Sequence, residues 1–412
     1  MLNPTCPGRY DPFETAQEAT ARGAVNPYDC HVVIPPRAQP NLNDPGLGNA
    51  DFFGWFGARQ VGSECVLQLE VNTCNEQSIA ANGGTTTGLA CQERGDMRYK
   101  FLSFVDQPGT PFLGIATLRG DPVTGELHLF GYGFLPPYLT YYVVDKTGAV
   151  VTEQVIELPN PVMMHDFQLT KTRAVFLDLP VVFDWTAARA GDRFPFRWKP
   201  EAGARIGLLP RGGKGTDIKW LPLPPCFIFH TLNAYDDGDQ VVLEACRFDS
   251  LWEKGVNDTS QPPYLTRFTL DEKRGTVTES RIHPHLTDFP VLDPRRIAQK
   301  HRYGYSLLLD AGTAYGPAWM KGLAKLDTQG DRVTVYEAPS GHRLDEMTFV
   351  PKSETAGEDE GFLVGFVYDH STDRSALWVF DAQDIQKGPI AKAHLPYRVP
   401  FGFHGTFLPK LG

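Results

Sequence analysis

No run of apolar residues in this chain approaches the roughly 18 that a membrane-spanning helix needs. Positive charge is also scarce: 39 Lys and Arg stand against 49 Asp and Glu, for a formal charge of -10. That balance opposes phosphate binding, which needs clustered cations, so no nucleic-acid partner is expected. The chain does not open on a charged segment followed by an apolar core, so no secretory leader is expected. The 7 cysteines form no CxxC pair, which removes the common zinc patterns. Cys6, Cys30, Cys65, Cys74 and Cys91 crowd the beginning, and only Cys226 and Cys246 follow. Neither of the latter two has a neighbouring feature beyond placement in an apolar strand. There is no GxSxG for a serine hydrolase and no HExxH for a zinc peptidase. A soluble cytoplasmic protein is the expectation, touching membranes only peripherally, and the cysteine skew leaves secretion open.

Glycine and proline, by contrast, are plentiful, at 40 and 34 of 412 residues. In a helix interior they cost about 1 and about 3 kcal/mol each, so many short strands joined by turns are favoured. Residues 1–95 are irregular in texture. RYDPFETAQEATARG suits a short helix, PPRAQPNLNDPGLGNADFFGWFG reads as loop, and ECVLQLEVNTC as a strand. From about Lys100 strands succeed one another: GELHLFGYGF, LTYYVVDKTGAVVTEQVIEL, RAVFLDLPVVFD, DQVVLEACRF, YLTRFTLDEKRGTVTESRI, GYSLLLDAG, GLAKLDTQGDRVTVYEA and FLVGFVYDHSTDRSALWVFDA. VVDKTGAVV and LDTQGDRVTV carry hairpin turns. Hairpin units every ~40–50 residues suggest an all-β propeller, more strands than one sandwich would hold. Two regions are therefore expected, a divergent segment over 1–95 and a propeller over 96–412.

Of the 11 histidines, three lie in apolar runs: His165 in MMHDFQLT, His230 in CFIFHTLNAY and His404 in VPFGFHGTF. His283, His285, His301, His342 and His370 have polar or turn-like neighbours and are expected at the surface. A lone histidine in an apolar strand is more often a hydrogen-bonded core residue than a ligand. Three, each near the end of a separate strand, form a candidate metal set, since imidazole suits iron and leaves Fe(II) its full charge. Asp166 invites a two-His-one-carboxylate site. Adjacent strand residues point to opposite faces, however, so it is expected to make a turn or supporting hydrogen bond instead.

From about residue 117 to the C-terminus the chain resembles the carotenoid cleavage oxygenase family, near its bacterial lignostilbene- and apocarotenoid-cleaving branch. The resemblance rests on DPVTGELHLFGYGFLPPYLTYYVVD, MMHDFQLT, RAVFLDLPVVFD, CFIFHTLNAYDDGD, PRRIAQKHRYGYS, EMTFVPKS, EDEGFLVGFVYDHSTDRSALWVFDA and HLPYRVPFGFHGTFLP, in the family's order. It implies a seven-bladed β-propeller with Fe(II) on its axis, held by four histidines. It also implies scission of a carbon–carbon double bond by O2 to two carbonyl products, with no organic cofactor. On this resemblance His165, His230 and His404 match three iron ligands. Glu346 matches a glutamate that accepts a hydrogen bond from a ligand imidazole, and Asp288 stands at another such position, where the family usually has glutamate. Phe167, Phe229 and Phe403 flank the ligands and are candidates to line an apolar tunnel, with core packing as the alternative.

The resemblance also marks departures. The position of the first ligand histidine, four residues before the aspartate of DPVTGE, is held by Thr117, a poor ligand for Fe(II). His128 falls within the family's next strand and is not expected to replace it. No opening-blade motif appears in residues 1–95, so the first blade is expected to be divergent or incomplete. CQERGDMRYKFLSFVDQPGTPFLGIATLRGDPVTGE is instead similar to a stretch of secreted bacterial zinc metallopeptidases, without their zinc motif. The leading expectation is an Fe(II) dioxygenase acting on an apocarotenoid or stilbene-like alkene. The competing one is a non-enzymatic propeller that binds an apolar ligand or a protein, because Thr117 breaks the histidine set.

Overall fold

The computed structural model describes residues 118–147, 149–190, 195–253, 261–310, 320–330, 332–395, 398–399 and 404–405 in full. It describes the backbone alone for strand residues 55–61, 64–70 and 114–117. β1 (Trp55–Val61) and β2 (Glu64–Glu70) pair as an antiparallel ribbon. The second is the strand that ECVLQLE predicts. The first begins inside the stretch read as loop, because a partner strand satisfies backbone groups whatever the local glycine content. The helix expected within residues 9–23 lies outside the described residues.

Next come β3 (Gly114–Gly120), β4 (Leu127–Tyr132), β5 (Leu139–Val144) and β6 (Val150–Val155), a four-stranded meander. β5 is buried throughout, while β6 alternates half-buried and exposed residues, as an edge strand with one wet face should. β7 (Gln168–Leu169) and β8 (Arg173–Asp178) follow. A side ribbon of β9 (Val181–Phe183) and β10 (Phe196–Trp198) flanks the short helix α1 (Trp185–Arg189). β11 (Ala204–Pro210) and β12 (Lys219–Leu223) complete a sheet of order β12-β11-β8-β7.

The largest sheet runs β13 (Phe227–Asp237), β14 (Gln240–Phe248), β15 (Tyr264–Asp271), β16 (Thr276–Val291), β17 (Tyr303–Leu309), β18 (Met320–Asp327) and β19 (Arg332–Glu337). The long strand β16 is shared. Its first part pairs with β15 and its last part with β17, so two meanders meet along one strand. The last sheet holds β20 (His342–Leu344), β21 (Thr348–Pro351), β22 (Gly361–Asp369), β23 (Arg374–Asp381) and β24 (Pro389–His394).

Aspartates close the hairpins that the sequence marks. Asp145 accepts from the backbone N–H groups of Thr147 and Ala149 at 2.8 and 2.9 Å. Asp327 does the same for Gln329 and Gly330, and Asp369 for Ser371. Each carboxylate satisfies turn amides that would otherwise face water alone. Between the sheets lies a continuous aromatic and aliphatic core, including Phe130, Phe167, Phe176, Phe227 and Phe248. Burying such a side chain stabilises by roughly 1.5–3 kcal/mol. A second core joins Leu307, Leu323, Phe349, Trp378 and Phe380. Among the described residues no helix is long and apolar enough to cross a membrane.

Candidate metal centre

His165, His230 and His404 are far apart in sequence, and the fold brings them together. Their ring centroids are 5.0 Å (165 to 230), 5.5 Å (165 to 404) and 5.1 Å (230 to 404) apart. Each offers one ring nitrogen, and these nitrogens lie within 4.8 Å of one another. His165 sits just before β7, in a segment anchored by Met163 N–H donating to the Val181 carbonyl at 2.8 Å. His230 lies in β13 within an irregularity of its pairing with β14, between Ile228 and Thr231. A bulge of this kind re-aims a side chain without ending the strand. His404 comes from the C-terminal segment beside β21, where the Thr348 hydroxyl donates to the Gly405 carbonyl.

Carboxylates fix two of the rings. His230 Nδ1 lies 2.8 Å from Asp288 Oδ1, and His404 Nδ1 lies 3.2 Å from Glu346 Oε1. Glu346 also accepts from the Gly405 N–H at 2.8 Å, so it holds both ring and backbone of the terminal segment. A proton on each Nδ1, donated to its carboxylate, leaves the Nε2 lone pair facing the other rings. His230 Nε2 is buried and has no hydrogen-bond partner. His165 Nε2 and His404 Nε2 lie 3.3 Å apart, close to the ~3 Å expected of neighbouring nitrogens ~2.1 Å from one ion. A buried lone pair without a donor, among two more lone pairs, fits a cation. The donor set therefore suits a transition metal.

Electrostatics set His165 apart from His404. Burial, then the neighbouring His230, His404 and Arg119, hold His165 well below its ordinary 6.5, so it is neutral. Burial also pulls His404 down, but the Glu346 carboxylate more than offsets this and its pKa stands above 6.5.

A second group, Asp121, Glu126 and His128, also brings its ligand atoms together. It already contains its own cation. Arg211 donates to Asp121, to Glu126 at 3.0 Å and to His128 Nε2 at 3.1 Å. That cluster is a structural lock, its carboxylates already paired with Arg211.

Asp288 is fully buried, and its shorter side chain still reaches His230. Asp166 stays out of the histidine set and instead accepts from Arg119 and Thr231. Thr117 lies in β3, near an irregularity of its pairing with β4; its side chain is outside the described residues, as is Phe403. Phe229 meets His165 edge-on at 5.5 Å. Phe167 packs on Phe176 and Phe130 in the core and does not line the site.

Two sequence readings need correction. His283 and His301 are buried, not on the surface. His301 lies 3.1 Å from the fully buried Glu244 and receives a hydrogen bond from Asn233, partners that its polar sequence neighbours do not reveal. His283 falls in the bulged stretch of β16 between its pairings with β15. Cys246 lies in a buried strand, as read from the sequence, and its thiol donates to Asp288, the support of His230. His285 and His342 are half-buried, and His370 is exposed at a turn.

Sequence reasoning missed Phe289 as well. Its ring lies 4.3 Å from that of His230 and 5.7 Å from that of His404, and its backbone is left-handed at φ 52°. No residue type signals that conformation, since a phenylalanine rarely adopts it.

The sequence model of the family described as retinal pigment epithelial membrane protein matches residues 85–409. Carotenoid 9,10(9',10')-cleavage dioxygenase 1 of Arabidopsis thaliana is 35% identical over 311 residues, 70% of this chain. The chain spans only 56% of that plant protein's length. The crystal structure of Pseudomonas brassicacearum lignostilbene dioxygenase superposes with a TM-score of 0.68 at 26% identity, covering 74% of this chain and 68% of that one. Cobalt-substituted Synechocystis ACO superposes with a TM-score of 0.62 at 25% identity, covering 71% of this chain and 64% of that one. Over most of its length the chain therefore belongs to the retinal pigment epithelial membrane protein family, the family of the carotenoid cleavage oxygenases.

Proposed function

We propose that this chain is a non-heme Fe(II)-dependent dioxygenase that cleaves a carbon–carbon double bond of an apocarotenoid or stilbene-like substrate. The observation that carries the reading is the convergence of three imidazole nitrogens, one of them buried without a donor. The substrate class follows from the relatives, one a carotenoid-cleaving and one a lignostilbene dioxygenase.

His165, His230 and His404 would hold the iron. Neutral imidazoles leave Fe(II) its full charge, which favours it over a carboxylate-rich site suited to harder ions. Bound there, Fe(II) supplies the one-electron chemistry that lets O2 react with an alkene. The balance closes without a reductant: one alkene and one O2 give two carbonyls, each taking one oxygen atom. Asp288 and Glu346 keep the Nδ1 protons of His230 and His404 in place, so the Nε2 atoms stay aimed inward. Phe229 and Phe289 present apolar faces beside the histidines and exclude water from the alkene. The sheets read as blades of a seven-bladed propeller with a divergent first blade, the histidines lying where separate sheets meet its axis. Residues 1–95 read as a region apart from it.

Thr117 favours one competing reading, a propeller too weak in iron to turn over. Reaction under 18O2 with a stilbene phenol and with a β-apocarotenal tests the proposal. Two aldehyde or ketone products, each bearing one label, are expected from one of them. Substrate binding without O2 uptake, in protein that retains no iron, would favour the non-enzymatic reading, and the same result in iron-loaded protein would overturn the proposal.

A further inference from the structure

Asp166 follows His165 in sequence, and Thr231 follows His230. The two followers are bonded to each other. Asp166 accepts from the Thr231 N–H at 2.9 Å and from its hydroxyl at 2.6 Å. It also accepts from its neighbour's Phe167 N–H at 2.8 Å, and from Arg119 Nη2 at 2.7 Å to each oxygen. The Thr231 hydroxyl in turn accepts from Gln168 Nε2 at 2.8 Å and from Arg119 at 3.2 Å. Arg119 donates its Nε to the Phe167 carbonyl at 3.2 Å, and it lies on β3, the strand that carries Thr117.

From this we propose that Asp166 is a positioning residue for the metal centre, a single carboxylate that sets the mutual geometry of the His165 and His230 segments and ties β3 to both. The proposal rests on the three histidines being a metal site. Its physical basis is that the two bonded residues each directly follow a candidate ligand histidine, so joining residue 166 to residue 231 fixes where residues 165 and 230 stand relative to one another. The rings do meet, at 5.0 Å and nearly perpendicular.

Stability alone does not account for the arrangement. Asp166 is 3% exposed, and a buried ion pair of this kind often contributes no more than a well-packed apolar pair would. A carboxylate that takes donors from three chain segments does something an apolar pair does not: it fixes direction. Asp166, beside a candidate ligand, is itself no ligand, because its oxygens are already taken by Arg119, Phe167 and Thr231.

The test uses Co(II), whose visible d–d bands report ligand geometry, titrated into the full chain under argon. Asp166→Asn keeps the shape but presents an N–H₂ to groups that are themselves donors. Thr231→Val removes the hydroxyl and leaves the backbone donor in place. Asp178→Asn is the control, since Asp178 is also buried and ion-paired, to Arg205, outside the ligand segments. Asp166→Asn should weaken Co(II) binding by roughly 10–100-fold and shift its bands, and Thr231→Val should do both to a smaller degree. Asp178→Asn should leave affinity and spectrum unchanged, whatever it does to the urea midpoint. Unchanged affinity and bands in Asp166→Asn, or equal losses in Asp178→Asn, would overturn the proposal. Failure of the unaltered chain to bind Co(II) would overturn the metal-site reading itself, and this proposal with it.

Discussion

Asp288 and His230 face each other at 2.8 Å across two strands of the largest sheet, with the Phe289 ring laid against the imidazole from the next position. The Phe289 N–H donates to the same carboxylate oxygen at 2.9 Å, so one turn of backbone both holds Asp288 and covers the ring it supports. Everything asked of His230 depends on this pair.

Asp288→Asn should therefore cost about 10–100-fold in metal affinity, because the neutral amide is a weaker acceptor for the Nδ1 proton than the carboxylate. Asp288→Glu makes the converse point. The site is fully buried, and an added methylene should destabilise by about 1–3 kcal/mol through overpacking. Equilibrium metal titration reads the first and urea unfolding the second. An Asn variant with wild-type affinity would contradict the role given to Asp288.

Phe289 makes an unusual demand on a substitution series. A left-handed backbone costs a non-glycine residue roughly 1–2 kcal/mol. Both Phe289→Ala and Phe289→Gly lose the ring, but only glycine relieves that cost. The glycine variant should be the more stable of the two by about 1 kcal/mol, the reverse of the usual order in strands. Equal urea midpoints would mean that the conformation carries no strain.

The Arg211 lock predicts acid sensitivity away from the candidate metal site. Burial first, then the Arg211 charge, holds His128 at about 4 against an ordinary 6.5, although Glu126 and Asp121 oppose it. The unfolded chain thus binds the proton first. Stability from this group is fully present above pH 6.5 and is lost as pH falls from there toward about 4. Full loss would be on the order of 3 kcal/mol. His128→Gln keeps an acceptor for Arg211 but does not titrate, so its urea midpoint should fall less steeply between pH 6.5 and 4.5. Parallel profiles for the two proteins would refute the assignment.

Thr117→His tests the broken histidine set. If position 117 faces the centre, the added imidazole should raise iron affinity at least tenfold, read by competition with a chelator. No gain would place β3 off the axis and leave three ligands as the native complement.

Much of this was legible in the chain. Alternating apolar residues and DxxG turns mark the strands from β4 onward because the aspartates make the turn bonds themselves. His165, His230 and His404 stand out because an imidazole in an apolar run is conspicuous. What stayed hidden is tertiary. Asp166 finds Thr231 only when two sheets meet, and Arg119 looks like any strand arginine until its guanidinium is seen on Asp166. His301 hides for the same reason, its polar neighbours giving no hint of Glu244. Phe289 shows the limit most clearly, since its backbone follows from the bulge around it and from nothing in its own chemistry.

The most direct test is metal content. Protein prepared anaerobically with Fe(II), then desalted, should hold close to one iron per chain by plasma emission. His230→Ala and His404→Ala should each abolish retention, and His342→Ala, altering a half-buried histidine outside the set, should keep it. Iron at background in the unaltered chain, or equal loss in all three variants, would contradict the account.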